Sequence, residues 1–290
     1  MDFVELTQGL MELPFHINRI AVYDNGVVRT HRFHSCANCQ DSYSVAKAFV
    51  MTAVGMLYDD GLLSLHTPVT SILPDAFAGD VDIGWRLVTI EHVLTHRVGF
   101  AEGFLDIDSE DVSRYPTHDY LAMVAAHPLA HMPGSTYVYS DAAYYLLSRI
   151  ISRVAGMNVD DLLSKRLLMP MGFREVAWSR CPMGYPIGAT GLFIPTEDML
   201  KLGVLYLNGG VYEGRRYLSK EWVDLALERE YEFHAMIGSD LIGKGGMYGQ
   251  LVAFSREKNV AVACHSHEEG DTERLVRYLE RALRDWGRPL

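Results

Sequence analysis

The sequence predicts an α+β fold: an antiparallel sheet formed by both termini and flanked by helices, with a helical subdomain inserted between. Three observations predict it. Strand-like patterns are confined to the two ends of the chain, helical spacing fills the middle, and an amphipathic helix closes the sequence.

The N-terminal strands come first. Ile20 to Tyr23 and Val27 to Thr30 flank Asp24-Asn25-Gly26, and Asn-Gly is the strongest short hairpin signal. Ser44 to Tyr58 follows as a helix, because Val45, Phe49, Val50, Val54 and Leu57 recur at helical spacing; Gly61 stops it. In the middle, Thr89 is placed to cap a helix over 90–97, and helices are expected over 119–126, 141–154 and 159–168. Thr196 is expected to cap 197–208, whose first turn carries Glu197 and Asp198. The runs 247–254 and 260–265 are apolar and rich in β-branched residues, which predicts strands around the polar turn 256–259. Over 272–286, Leu275, Val276, Leu279 and Leu283 share one helical face. The 290 residues are expected to form one catalytic domain, 1–290, with 1–45 and 235–290 in the sheet part and 60–200 mainly helical.

Composition narrows the function. The chain is 49% hydrophobic with a formal net charge of -11, so a nucleic-acid partner, which needs a basic stripe, and an anionic membrane are both disfavoured. A small-molecule substrate is the expected partner; the oligomeric state is not legible. The first 13 residues lack a basic stretch and a long apolar run, so a cytoplasmic location is expected. Cys36 and Cys39 form a C-x-x-C downstream of His31 and His34. Four ligands packed into so short a span would strain a tetrahedral zinc site, so free thiols are the better reading.

Three short patterns carry chemistry. In Ser44-Val45-Ala46-Lys47, residues three apart on a helix share a face, so the amine can reach the hydroxyl and activate it as a nucleophile. The apolar neighbours Val45, Ala46, Ala48, Phe49 and Val50 are unusual around a solvated lysine. In Tyr139-Ser140-Asp141, a tyrosine at a loop–helix junction can shuttle a proton, although a packed aromatic and an Asp cap would look the same. In Lys244-Gly245-Gly246, the glycines let a substrate lie against a strand, and the N–H of Met247 is a candidate oxyanion donor beside that of Ser44. Alone, each pattern is weak.

Together and in this order, the three patterns resemble the penicillin-recognising serine hydrolases, within them the class C β-lactamase-like branch that includes esterases and D-amino-acid peptidases. Further stretches are similar to that branch: Asp60 to Leu65, Thr89 to His96, Met132-Pro133-Gly134 before the tyrosine, and Gly188 to Leu192 followed by Thr196-Glu197-Asp198. The resemblance implies a β-lactamase/transpeptidase-like fold and an acyl-enzyme on Ser44. Lys47 would be base or proton relay, Tyr139 the proton shuttle, and Lys244 the residue that orients substrate. It implies no metal and no organic cofactor. One departure matters: Asp141 stands where the family has Asn, and an ionised carboxylate cannot donate to a substrate amide carbonyl. Its charge would also favour protonated Lys47 and Lys244, leaving Tyr139 as the base. The reading is therefore esterase first, D-amino-acid peptidase or amidase next, β-lactamase or carboxypeptidase third. The alternative is a catalytically inactive ligand-binding or sensor protein on the same fold.

Overall fold

The computed structural model describes residues 2–13, 16–236, 241–268 and 272–287. In the expected sheet segment 235–290, residues 237–240, 269–271 and 288–290 therefore lie outside the described residues. In chain order the first elements are α1 (Phe3–Glu12), β1 (Ile17–Asp24), β2 (Val27–Arg32), β3 (Cys39–Asp41) and α2 (Ala46–Asp59). The middle carries α3 (Val69–Ile72), α4 (Ile90–Leu94), α5 (Tyr120–Ala126), α6 (Asp141–Ala155), α7 (Val159–Leu163) and β4 (Ala177–Trp178). Then come β5 (Leu192–Pro195), α8 (Thr196–Leu207), β6 (Val211–Tyr212), β7 (Arg215–Arg216) and α9 (Lys220–Glu228). The last are β8 (His234–Ala235), β9 (Ile242–Gly246), β10 (Gln250–Ser255), β11 (Val260–Ser266) and α10 (Thr272–Arg284).

The chain divides into two compact units. One comprises Met1–Ala48, Met171–Ala177 and Leu192–Leu290; the other comprises Phe49–Pro170 and Trp178–Gly191. The first unit is built on a six-stranded sheet in the order β2-β1-β11-β10-β9-β8. Every neighbouring pair in it is antiparallel. Strand β1 from the N-terminal end lies beside β11 from the C-terminal end, with Ile20 opposite Cys264 and Val22 opposite Val262. The expected fold class is therefore the observed one.

Period-2 alternation sends the two faces of this sheet to different partners. Ile20, Val22, Val260, Val262 and Cys264 join Leu6 and Leu10 of α1 and Leu275, Leu279 and Leu283 of α10 in one core. Helix α8 packs against β1, β10 and β11. It does so closely: a Cβ on Gly203 would come within 2.9 Å of Val252 Cγ2 and 3.7 Å of the Ala261 Cβ. Small side chains at both contact positions let the helix approach.

The hairpin forms as expected, with Asn25 and Gly26 at positive φ (47° and 95°), as a two-residue type I′ turn requires. Helix α1 has no counterpart among the sequence-based expectations; Asp2 and Glu5 form its capping box. Several expected boundaries move. The helix capped by Thr89 ends at Leu94 rather than 97, because His96 takes a left-handed φ of 52°. Thr196 is the first residue of α8 and not its cap: Pro195 holds that position, and the Thr196 hydroxyl pairs with His265 instead. The strand expected over 247–254 begins at Gln250, because Tyr248 (φ 59°) and Gly249 (φ 82°) turn the chain between β9 and β10.

In the second unit α6 is the central helix, in contact with α3, α4, α5 and α7. Residues 141–148 are all buried, and Gly156 ends the helix at φ 67°.

Candidate active site

Asp41 starts the turn that carries Ser44. Its Oδ1 accepts the Tyr43 N–H at 2.8 Å. Tyr43 then adopts φ 45°, a sterically costly conformation for an aromatic residue, and leads a single 3-10 turn, Tyr43–Val45, straight into α2. The Ser42 N–H donates to the Leu192 carbonyl at 2.9 Å, tying the turn to β5. Ser44 is thereby placed in the turn just before the α2 N-terminus, partly open to solvent.

Lys47 lies one turn further on and is fully buried, with Nζ 3.0 Å from Ser44 Oγ. The predicted pairing is present, and the apolar neighbours that suggested it, Val45, Ala46, Ala48, Phe49 and Val50, have no solvent exposure. An amine without water interacts strongly with whatever proton donor or acceptor it touches.

The turn Tyr43–Val45 packs beside β9 and β10, within the same unit. Here the two glycines after Lys244 separate in role. A Cβ on Gly246 would meet the Ser42 carbonyl oxygen at 2.7 Å, so its lack of a side chain admits the turn that carries Ser44. A Cβ on Gly245 would have only the Gln250 carbonyl oxygen within 4 Å, at 3.8 Å. Only Gly245 leaves room of the kind expected for a substrate. Strand β8 pairs with β9 at Ile242 and Gly243 and, among the described residues, extends no further along it. Met247 follows at the β9–β10 turn, partly exposed. The Tyr43 and Tyr248 rings meet edge to face at 5.2 Å, so two left-handed tyrosines, the chain neighbours of Ser44 and Met247, brace each other.

Lys244 is almost buried, and its Nζ lies 2.5 Å from Glu232 Oε2, a carboxylate with no solvent exposure. Sequence reasoning missed Glu232. The signal was a lone charge between two aromatics, Tyr231-Glu232-Phe233, all three of which are buried.

Tyr139 and Asp141 belong to the other unit. Tyr139 is exposed, its ring lying over the buried His96 at 4.5 Å. The Val138 N–H donates to the His96 carbonyl at 2.8 Å and the Ser140 N–H to His96 Nδ1 at 3.2 Å. The histidine that closes the Thr89–His96 stretch thus clamps the tyrosine loop on both sides of Tyr139. Asp141 is neither a surface residue nor the cap of α6: it is buried at the first helical position, after Ser140. Its carboxylate gathers with those of Asp106 and Asp108, with ligand oxygens within 4.8 Å of one another. The Thr190 hydroxyl donates to Asp108 at 2.5 Å. This acidic group sits at a helix N-terminus, where the dipole favours negative charge.

All four cysteines are free thiols. Cys36 Sγ accepts from Gln40 Nε2 at 3.6 Å while Cys39 Sγ faces the Glu175 carbonyl at 3.8 Å, so the two engage different neighbours.

Comparison with known proteins gives the family. The β-lactamase family profile matches residues 20–284. The chain belongs to the β-lactamase family. An uncharacterised protein of Mycobacterium tuberculosis is 27% identical over 255 residues, 70% of this chain and 63% of that protein. Esterase EstB of Burkholderia gladioli is 31% identical over 143 residues, 46% of this chain and 36% of its own. The chain thus spans less than two thirds of the length of these curated relatives. Among solved structures, EstCE1, a hydrolase with promiscuous acyltransferase activity, superposes with a TM-score of 0.73 at 16% identity, covering 97% of both chains. That likeness shares the fold. Other relatives of this member of the β-lactamase family are named a 6-aminohexanoate-dimer hydrolase and a putative D-alanyl-D-alanine carboxypeptidase. No described helix is long and apolar enough to cross a membrane.

Proposed function

We propose that this chain is a serine esterase acting through an acyl-enzyme on Ser44. The observation that carries the reading is the contact between the fully buried Lys47 amine and the Ser44 hydroxyl at 3.0 Å, at the start of a helix. Ser44 Oγ attacks the ester carbonyl carbon while its proton passes to Lys47 or Tyr139. The N–H groups of Ser44 and Met247 hold the developing oxyanion. The carbonyl–oxygen bond to the alcohol then breaks, the alkoxide takes that proton back from the group that accepted it, and the acyl group stays on Ser44. Water, deprotonated by the same groups, releases the acid and regenerates the serine. An alcohol in place of water gives acyl transfer by the same steps.

Esters rank above amides for two reasons. Asp141 in its ionised form offers no donor to an amide carbonyl, and an alkoxide is a better leaving group than an amine anion. The substrate is a small molecule in this reading. The test is a p-nitrophenyl ester panel with intact-mass detection on wild type and Ser44→Ala. Turnover with a transient acyl adduct on wild type and neither on Ser44→Ala supports the reading. Absence of both from the wild type, with no fluorophosphonate adduct on Ser44, sinks it and brings the ligand-binding alternative forward.

A further inference from the structure

The Lys244–Glu232 pair bears on which esters the site accepts, an inference that rests on the esterase reading. Lys244 stands on β9 opposite Val252, two residues before Gly246 and next to Gly245, where a Cβ would make only one ordinary contact, with the Gln250 carbonyl oxygen at 3.8 Å. A lone ammonium here would attract a substrate carboxylate. This ammonium is already matched: Glu232 lies at 2.5 Å, and the two side chains are 6% and 0% exposed. A carboxylate cut off from water is sustained only by a partner of this kind, and the pair is close to neutral as seen from outside.

The backbone that carries Glu232 is anchored on both sides. On one side Tyr231 packs against Trp222 of α9, at 5.9 Å between centroids. On the other, Phe233 packs against Tyr206 of α8 at 4.7 Å and Phe254 of β10 at 5.4 Å. Both flanking rings are buried. One residue further on, His234 pairs with Gly243 in the β8–β9 ladder, so the backbone that carries Glu232 is hydrogen-bonded to the strand that carries Lys244. The neighbouring His234 contributes no compensating cation near pH 7, because burial lowers its pKa.

We propose that Glu232 is a specificity-determining residue: by neutralising Lys244 it turns the Lys244–Gly246 subsite against substrates bearing a carboxylate and toward uncharged acyl esters. An incoming carboxylate meets a lysine whose charge is already spent and a fixed negative charge 2.5 Å behind it. An uncharged chain beside Gly245 meets no such penalty.

The test is a matched pair of activated esters, p-nitrophenyl butyrate and mono-p-nitrophenyl succinate, which differ mainly in a terminal carboxylate. Each is measured on wild type and on Glu232→Gln. Wild type should favour the neutral ester in kcat/KM by about tenfold or more, and Glu232→Gln should shrink that ratio by about tenfold, mainly through a lower KM for the succinate. A wild type that takes the succinate as well as the butyrate overturns the inference, and this arm needs no folded variant. So does a Glu232→Gln enzyme that turns over both esters at the wild-type ratio, or one whose kcat falls equally for both while KM stays put, which marks a purely structural role. If the wild type hydrolyses neither ester and takes no fluorophosphonate on Ser44, the esterase reading has failed and this inference falls with it. Turnover of both esters without preference leaves the esterase standing and removes the inference alone.

Discussion

A lysine amine with no water around it must find its hydrogen bonds and its proton balance inside the protein. Lys47 does so at Ser44 Oγ. Replacing it with methionine keeps the length and apolar packing of the side chain and removes the amine. Lys47→Met should therefore stay folded by circular dichroism while the rate of Ser44 acylation falls by about 10²- to 10⁴-fold, read by stopped-flow with a p-nitrophenyl ester. His265 is the second residue whose burial has a measurable consequence. Burial pushes its pKa down to about 3, with the Arg19 charge adding to the effect. Its ring is therefore neutral in the fold, and Nδ1 pairs with the Thr196 hydroxyl at 2.8 Å. The unfolded chain takes up a proton at this residue near pH 6.5, whereas the native chain refuses it until about pH 3. Its contribution is thus complete above pH 6.5 and drains away as pH falls toward 3. Urea titrations across that window should show wild-type stability falling by up to about 1.4 kcal/mol per pH unit from this one group, and His265→Gln should lose that part of the slope.

Among the elements, the β9–β10 hairpin and the turn Tyr43–Val45 depend on each other. Gly246 faces the Ser42 carbonyl and Gly245 has room for a Cβ, although the sequence shows them as two identical glycines. Gly246→Ala should push the turn Tyr43–Val45 away from β9, lowering Tm by several degrees and suppressing Ser44 labelling. Gly245→Ala should leave Tm within a degree or two and raise KM for esters. Thermal melts and steady-state kinetics on the two variants separate the roles, and equal behaviour of both would contradict the assignment. The same level explains Thr196. A threonine before two acids looks like a cap, but Pro195 precedes it and His265, 69 residues away, claims its hydroxyl. Likewise Met247 to Phe254 reads as one apolar run, yet Tyr248 and Gly249 turn left-handed and split it. Nothing local in Tyr43 or Tyr248 announces a positive φ, because it is held by contacts that form only after folding.

At the scale of the whole molecule, period and order are legible in the chain. The Asn-Gly turn after β1, the apolar β-branched run of β11 and the 3.6-residue spacing in α2 and α10 are local features of the chain. They predict a sheet drawn from both termini, which the β1–β11 pairing fulfils. The Ser44–Lys47 pair is equally legible, because one helical turn brings residues three apart onto a shared face. What depends on distant segments is not. Glu232 and Lys244 are 12 residues apart, and the strand pairing that joins their segments is a property of the ladder, not of either stretch. His96 and Tyr139 are brought together by loop hydrogen bonds, and Asp141 finds Asp106 and Asp108 through the folding of a segment that contains α5. Sequence alone determined the fold class, the family resemblance and the Ser44–Lys47 contact, because each rests on short-range periodicity or on motif order. The tertiary structure alone decided which glycine serves the turn, which carboxylate answers Lys244 and which histidine holds the tyrosine loop. Those choices are made by side chains that burial forces to find partners, and the chain between them does not record who the partner will be.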